Sequence, residues 1–150
     1  MKKLIIFGNG EIADLASYYF KSEQDINTEA YIIDGKNLKE DKFNNIPVIS
    51  LEEITQNFSN ELYDVHIAIS YSKLNQNREK KFNEIKKMNY NFRSFVSKKS
   101  FISSKAKLIG RNLFILENQV IQNNVEINDN VMIWSGNHIG HGSKILPHVY

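Results

Sequence analysis

The chain has 150 residues, 41% of them hydrophobic, a formal net charge of +2 and no cysteine. That is enough apolar material for one sizeable core or two small ones that lean on each other, and it excludes a disulfide framework and a thiolate zinc site. A charge this slight, with no recognisable reading motif, argues against nucleic acid as a partner. The apolar stretch 4–7 that follows Met1-Lys2-Lys3 is too short for a signal-peptide core or a membrane span, so a cytoplasmic protein without membrane insertion is expected.

KLIIFG (3–8) reads as a buried first strand that runs into Gly8-Asn9-Gly10. Residues 11–21 carry Ile12, Leu15, Ala16, Tyr19 and Phe20 at helical spacing. AYIID (30–34) is a second strand; IPVIS and LEEI make a short strand and a helix; VHIAIS (65–70) is another buried strand. Residues 73–88 form a long charged helix, and FRSFV (92–96) is expected to close the sheet. Strands alternating with helices predict a parallel sheet with crossover helices, a small Rossmann-like domain over residues 1–97. Lysines gather between Lys80 and Lys107, where they read as a solvated helix face or as a field attractive to phosphate.

Gly8 and Gly10 with Ala13 make a GxGxxA turn between strand and helix, the context in which backbone N–H groups cradle phosphate. Any strand-to-helix turn can use glycine, so the motif alone is weak. Asp34 ends the second strand, where an acid meets a ribose in dinucleotide folds, and Ser70 follows the central strand. Gly8, Asn9, Gly10, Asp34 and Ser70 are therefore the candidate substrate-binding residues. A domain of about 95 residues is too short for both mononucleotide halves, which favours a nucleotide-linked sugar over NAD.

From about Phe101 the rhythm changes. Ile109, Ile115, Ile121, Ile127, Ile133, Ile139 and Ile145 stand at every sixth position, a spacing that neither a helix nor a simple strand produces. Turn-forming NDN, GRN and NN stretches lie between them, and Leu113, Val125, Val131, Ser143 and Val149 follow their anchors by four. The pattern resembles the hexapeptide repeat of left-handed parallel β-helices, here residues 98–150. That resemblance implies three hexads to a coil, with ladders Ile109/Ile127/Ile145, Ile115/Ile133 and Ile121/Ile139. The repeat runs for little more than two coils before residue 150, with Leu146-Pro147 at the last turn, so a β-helix truncated at its C-terminus is expected.

FGNGEIA, IAISYSKLNQNREK and ILENQVIQNNVEINDNVMIWSGNHIGHGSKI together resemble the sugar O- and N-acyltransferase family, which includes the sialic acid O-acetyltransferases and the bacillosamine-pathway nucleotide-sugar acetyltransferases. The resemblance implies that the Rossmann-like domain holds the nucleotide or sugar, that the β-helix forms a homotrimer, and that acetyl-CoA lies between neighbouring β-helices. It places the general base at His141, in Ile139-Gly140-His141. Imidazole suits the task, because its ordinary pKa of about 6.5 leaves it able to accept a proton at neutral pH.

Counting 18 residues back from His141 reaches Asn123, a candidate to orient the ring; where family members carry an acid after the histidine, this chain has Gly142. His138 is a candidate contact for the acceptor or CoA. His66 and His148 read as structural, and Trp134 as an apolar contact at a subunit interface. Two histidines three apart without carboxylates are a poor metal site, and no metal is expected. The expected activity is acetyl transfer from acetyl-CoA to an amine or hydroxyl of a nucleotide-linked sugar in surface-glycan synthesis. The competing expectation is a truncated module that binds nucleotide-sugar without turning it over.

Overall fold

The computed structural model describes residues 2–150. They divide into two compact units, one of the residues up to Ser70 with Lys80–Arg93, the other of Tyr71–Glu79 with Ser94–Tyr150. Among the described residues no helix is long and apolar enough to cross a membrane.

The first unit is built on β1 (Lys3–Phe7), β2 (Thr28–Ile33), β3 (Lys42–Phe43), β4 (Ile46–Ser50), β5 (Tyr63–Ile67) and β6 (Asn91–Phe92). Their order in the sheet is β3-β4-β2-β1-β5-β6, parallel throughout except for the β3/β4 hairpin. Asn44 and Asn45 turn that hairpin with φ of 50° and 63°, the left-handed pair that tight hairpins require. Central β1 is apolar at consecutive positions because both its faces are covered: Leu4, Ile5 and Ile6 have no exposure at all.

On one face, Ile5, Ile32, Val65 and Ile67 form a cluster with Phe82 and Ile85 of α3 (Gln76–Lys87), and with Ile54 of the short helix α2 (Ile54–Asn57). α1 (Glu11–Gln24) buries Ala13, Ala16 and Phe20, one stripe at helical spacing. Phe20 meets His66 edge-on at 5.1 Å, and His66 Nδ1 lies 2.9 Å from the Arg93 carbonyl, so this histidine is a packed structural residue. α3 starts at Gln76, later than its periodicity predicts, because Lys73, Leu74 and Asn75 are all left-handed.

The second unit is a stack of two-residue strands. β7 (Phe95–Val96), β10 (Phe114–Ile115) and β13 (Met132–Ile133) form one parallel sheet. β8 (Phe101–Ile102), β11 (Val120–Ile121) and β14 (His138–Ile139) form the second; β9 (Lys107–Leu108), β12 (Glu126–Ile127) and β15 (Lys144–Ile145) form the third. The chain visits the three sheets in turn, so each circuit is one coil of a three-sided parallel β-helix, the architecture that the hexad spacing resembles. The second residue of each strand points inward, and Ile115, Ile121, Ile127 and Ile133 with Leu113, Val125 and Val131 make a continuous core.

A second six-residue register underlies the first. Asn112, Asn118, Asn124, Asn130, Gly136, Gly142 and His148 all have positive φ, between 55° and 83°, one left-handed residue at each corner from Asn112 onward. Asparagine and glycine tolerate that conformation best, which is why the turns between the anchors are rich in them. At one edge these corner residues form a polar stack: Asn112 Nδ2 donates to Asn130 Oδ1 at 2.8 Å, and Asn130 Nδ2 lies 2.9 Å from His148 Nδ1. Arg78, 1% exposed, donates to the same Asn130 Oδ1 at 3.2 Å and to its carbonyl at 3.3 Å. Burial pushes the Arg78 guanidinium down to about 10, which leaves it cationic at neutral pH.

Two expectations are corrected here. Ile109 is not an anchor; it is 60% exposed, and the rung below Ile127 is Leu108. The turn between Leu108 and Phe114 holds one residue more than the others, so counting six backward from Ile115 stops one residue short of Leu108. Gly110 absorbs the extra residue: a β-carbon there would stand 2.0 Å from the Asn128 carbonyl oxygen, a gap no side chain fits. Arg111 then pairs with Asp129 across the coils at 3.0 Å. The second correction concerns FRSFV, which does not close the sheet as one strand. Phe92 ends the sheet in β6, whereas Phe95–Val96 starts the first rung beneath Ile115.

Candidate active site

His141 sits at a corner of the third coil, between Gly140 and left-handed Gly142 (φ 71°), and is exposed. Three hydrogen bonds define that corner. Gly142 N–H donates to the Asn123 carbonyl at 3.0 Å, Ser143 N–H to the Gly140 carbonyl at 3.3 Å, and His141 N–H to Oε1 of Gln122 at 2.9 Å. The imidazole itself has no hydrogen-bond partner among the described residues.

Asn123 lies one coil below, where spacing put it, but its amide oxygen accepts from the Ser103 hydroxyl rather than meeting the ring. The residue that reaches the histidine from beneath is its neighbour Gln122, which nothing in the sequence singled out. Among the described residues no group of three or more histidine, aspartate or glutamate side chains could hold a metal ion.

The outward positions give the three sides of the β-helix different chemistry. Lys107, Glu126 and Lys144 stack in register, with Glu126 between the ammonium groups at 3.6 and 3.7 Å. Phe95, Phe114 and Met132 are buried. The remaining side stacks Phe101, Val120 and His138; the phenylalanine is 63% and the valine 43% exposed, an apolar ladder open to solvent and topped by a histidine. Trp134, 41% exposed, meets Tyr150 edge-on at 6.1 Å. Beneath it Gln119, 1% exposed, takes the interior slot that Leu113, Val125 and Val131 fill in neighbouring hexads. Its amide donates to the Leu116, Glu117 and Trp134 carbonyls and accepts from Asn137 N–H.

In the first unit the candidate residues follow the C-terminal ends of adjacent parallel strands. Gly8, Asn9 and Gly10 follow β1, Asp34 follows β2, and Ser70 lies beyond β5. This is the edge where open parallel sheets receive ligands. Gly8 has a structural reason to be glycine, since at φ 123° its β-carbon would stand 2.5 Å from the Ala68 carbonyl oxygen. Gly10, the N-cap of α1, would meet nothing within 4 Å, so its small size leaves open space. Asn9 and Ser70 are exposed.

Asp34 is engaged by Lys81, which also binds Glu84 at 2.7 Å. Burial alone would lower the Lys81 ammonium, but the hydrogen bonds with Asp34 and Glu84 overcome it, and the group stays protonated beyond the usual lysine range. Asp34, Lys36, Lys80, Lys81, Glu84 and Lys87 line much of a cleft of about 800 Å³ in this unit. Lys81 was hidden in the sequence inside a run of charges that reads as a solvated helix face.

No protein-family model and no curated protein matches the sequence. Several solved structures do match. The acetyltransferase domain of PglB from Neisseria gonorrhoeae shares 16% identity at a TM-score of 0.76, over 96% of this chain and 67% of that one. PerB from Caulobacter crescentus, solved in complex with CoA and GDP-perosamine, shares 14% at a TM-score of 0.79, over 96% and 65%. The PglB domain in complex with acetyl coenzyme A gives 16% and 0.77, over 95% and 66%. The chain spans about two thirds of the length of these structures. At identities of 14–16%, what it shares with the acetyltransferases is their fold.

Proposed function

We propose that this chain is an acetyl-CoA-dependent acyltransferase that acetylates an amine or hydroxyl of a nucleotide-linked sugar, acting in the cytoplasm on precursors of surface glycans, with His141 as general base. One observation carries the reading. A chain with the fold of sugar acetyltransferases over nearly its whole length displays, at an exposed β-helix corner, an imidazole with no hydrogen-bond partner among the described residues.

In the reaction a neutral ring nitrogen of His141 accepts the proton of the acceptor N–H or O–H while that atom attacks the thioester carbonyl carbon. Collapse breaks the carbon–sulfur bond, and the proton passes from the imidazolium to the departing sulfur, which leaves as free thiol. A positioned base of this kind contributes ~10²- to 10⁴-fold. The developing oxyanion needs a donor, a role for a backbone N–H of the β-helix. Asn123 supports the base at one remove, through the bond between its carbonyl and Gly142.

The first unit acts as a Rossmann-like domain for the nucleotide part. Gly8, Asn9 and Gly10 at the start of α1 offer the positive end of a helix to phosphate, with Asp34 and Ser70 on the same sheet edge. GDP-perosamine in the PerB complex supports a nucleotide-linked amino sugar as the first acceptor to try. Three copies would assemble through the Phe101/Val120/His138 ladder, which brings His138 to the seam where acetyl-CoA binds between neighbouring β-helices.

The test is thiol release from acetyl-CoA against a panel of nucleotide-linked amino and hydroxy sugars. Release that depends on the acceptor and is lost in His141→Ala supports the assignment. Folded protein that binds an acceptor but releases no thiol with any of them replaces the enzyme with a binding module.

A further inference from the structure

The backbone on either side of His141 carries no side chain to hold it. Glycines flank the histidine, Gly142 is left-handed, and a side chain at either glycine would meet nothing within 4 Å. Two of the three hydrogen bonds at this corner are backbone to backbone and fix Gly142 and Ser143, one residue or more past the histidine. The bond that holds His141 itself comes from a side chain, Oε1 of Gln122, at 2.9 Å from the His141 nitrogen.

Gln122 is suited to the task by its own anchorage. It follows Ile121, whose side chain is fully buried, and its N–H donates to the Ile139 carbonyl at 3.1 Å. Its backbone is thus pinned to the same coil whose corner its side chain supports, and only the side-chain torsions remain to be ordered. At the corresponding position of the next hexad Asn128 also reaches up a coil, but there the amide donates to the Ile145 carbonyl. Only an acceptor can satisfy the N–H of His141, and a Gln122 oxygen turned upward supplies it.

We infer that Gln122 is a positioning residue for the acyl transfer: it fixes the backbone from which the His141 imidazole projects and so sets the direction in which the base points. The inference rests on the reading of His141 as general base. It acts through geometry rather than contact with substrate, so its loss lowers the fraction of time the ring spends in reach of the acceptor proton. A near-attack arrangement lost in this way reduces turnover while leaving ground-state binding alone.

The experiment compares Gln122→Leu, Gln122→Glu and His141→Ala with the parent chain. Turnover is read as thiol release from acetyl-CoA with GDP-perosamine as acceptor, and exchange of the His141 amide hydrogen is followed by NMR. Gln122→Leu is expected to lower kcat about tenfold with KM for both substrates unchanged, and to speed His141 amide exchange about five- to tenfold, the size of one hydrogen bond. Gln122→Glu keeps an acceptor oxygen and restores both, and all variants melt with the parent. Parent-like kcat, or parent-like His141 exchange, in Gln122→Leu overturns the inference. Undiminished turnover in His141→Ala overturns the base assignment as well, so failure of that reading is distinguished from failure of Gln122 alone.

Discussion

Replacing Gly110 by alanine tests how the β-helix absorbs its one irregular turn. The added methyl carbon would stand 2.0 Å from the Asn128 carbonyl oxygen, 2.1 Å from its carbon and 2.5 Å from the Asp129 nitrogen, all backbone atoms of the coil above. Comfortable contact needs roughly 3.5 Å, so the two coils must part by about 1.5 Å at this corner. Three hydrogen bonds cross the gap there: Ile109 N–H and Gly110 N–H to the Ile127 carbonyl at 3.1 and 3.0 Å, and Arg111 N–H to Asp129 Oδ1 at 2.8 Å. Stretched by that amount they are lost, at about 1 kcal/mol each, which predicts a destabilisation of about 3 kcal/mol. For a chain of this size that is about 6–12 °C in Tm. Thermal unfolding followed by far-UV circular dichroism reads it directly. Gly140→Ala, where a β-carbon meets open space and φ is ordinary, is the matched control and should melt with the parent. Gly110→Ala melting within about 2 °C of the parent would refute the reasoning, since it would mean that the coils are not held at this spacing.

Ile127→Ala removes the middle rung of the Leu108/Ile127/Ile145 ladder, fully buried in the structure, and should cost about 2–5 kcal/mol, seen as a lower urea midpoint. Burial lowers the His148 pKa below its ordinary 6.5, with Arg78 adding to the effect and Glu79 and Asp129 opposing it. The unfolded chain therefore binds the proton first, so stability falls as pH drops through the range below about 6.5. His148→Asn, which tolerates the left-handed backbone and cannot titrate, should flatten that part of the dependence in urea midpoints measured from neutral to mildly acid pH. On the proposed three-copy assembly, Val120→Asp puts a charge in the centre of the Phe101/Val120/His138 ladder and should convert trimer to monomer in sedimentation, with an unchanged melting temperature at low protein concentration.

The β-helix was legible because its physics is periodic. An inward isoleucine and a left-handed corner recur with the same step, and both leave marks in composition. What escaped was the place where the period breaks. Ile109 falls on the sixfold count by coincidence of residue type, and only the pairing of Leu108 with Ile127 exposes the extra residue. The first sheet was legible from the apolar runs of strands buried on both faces, but not the split of 92–96 between two units, because FRSFV is apolar in either setting. His141 was singled out as the candidate base by its motif. Gln122 and Lys81 were not, since each acts through a partner distant in sequence, and a glutamine or a lysine on a polar stretch carries no mark of the atom it will meet.

Each rung of the β-helix is two residues long, and the two have separate duties. The second, Val96, Ile102, Leu108 and their successors, tells the chain how to coil; the first, on the two sides that begin with Phe101 and Lys107, tells the outside world what it touches, while on the third side Phe95, Phe114 and Met132 are buried. The instructions for folding and for recognition are thus interleaved without overlapping. Mutation can rewrite a whole side, turning a charged wall into an adhesive one, while every inward letter stays as it was. A prism of this kind can acquire new neighbours without relearning how to fold.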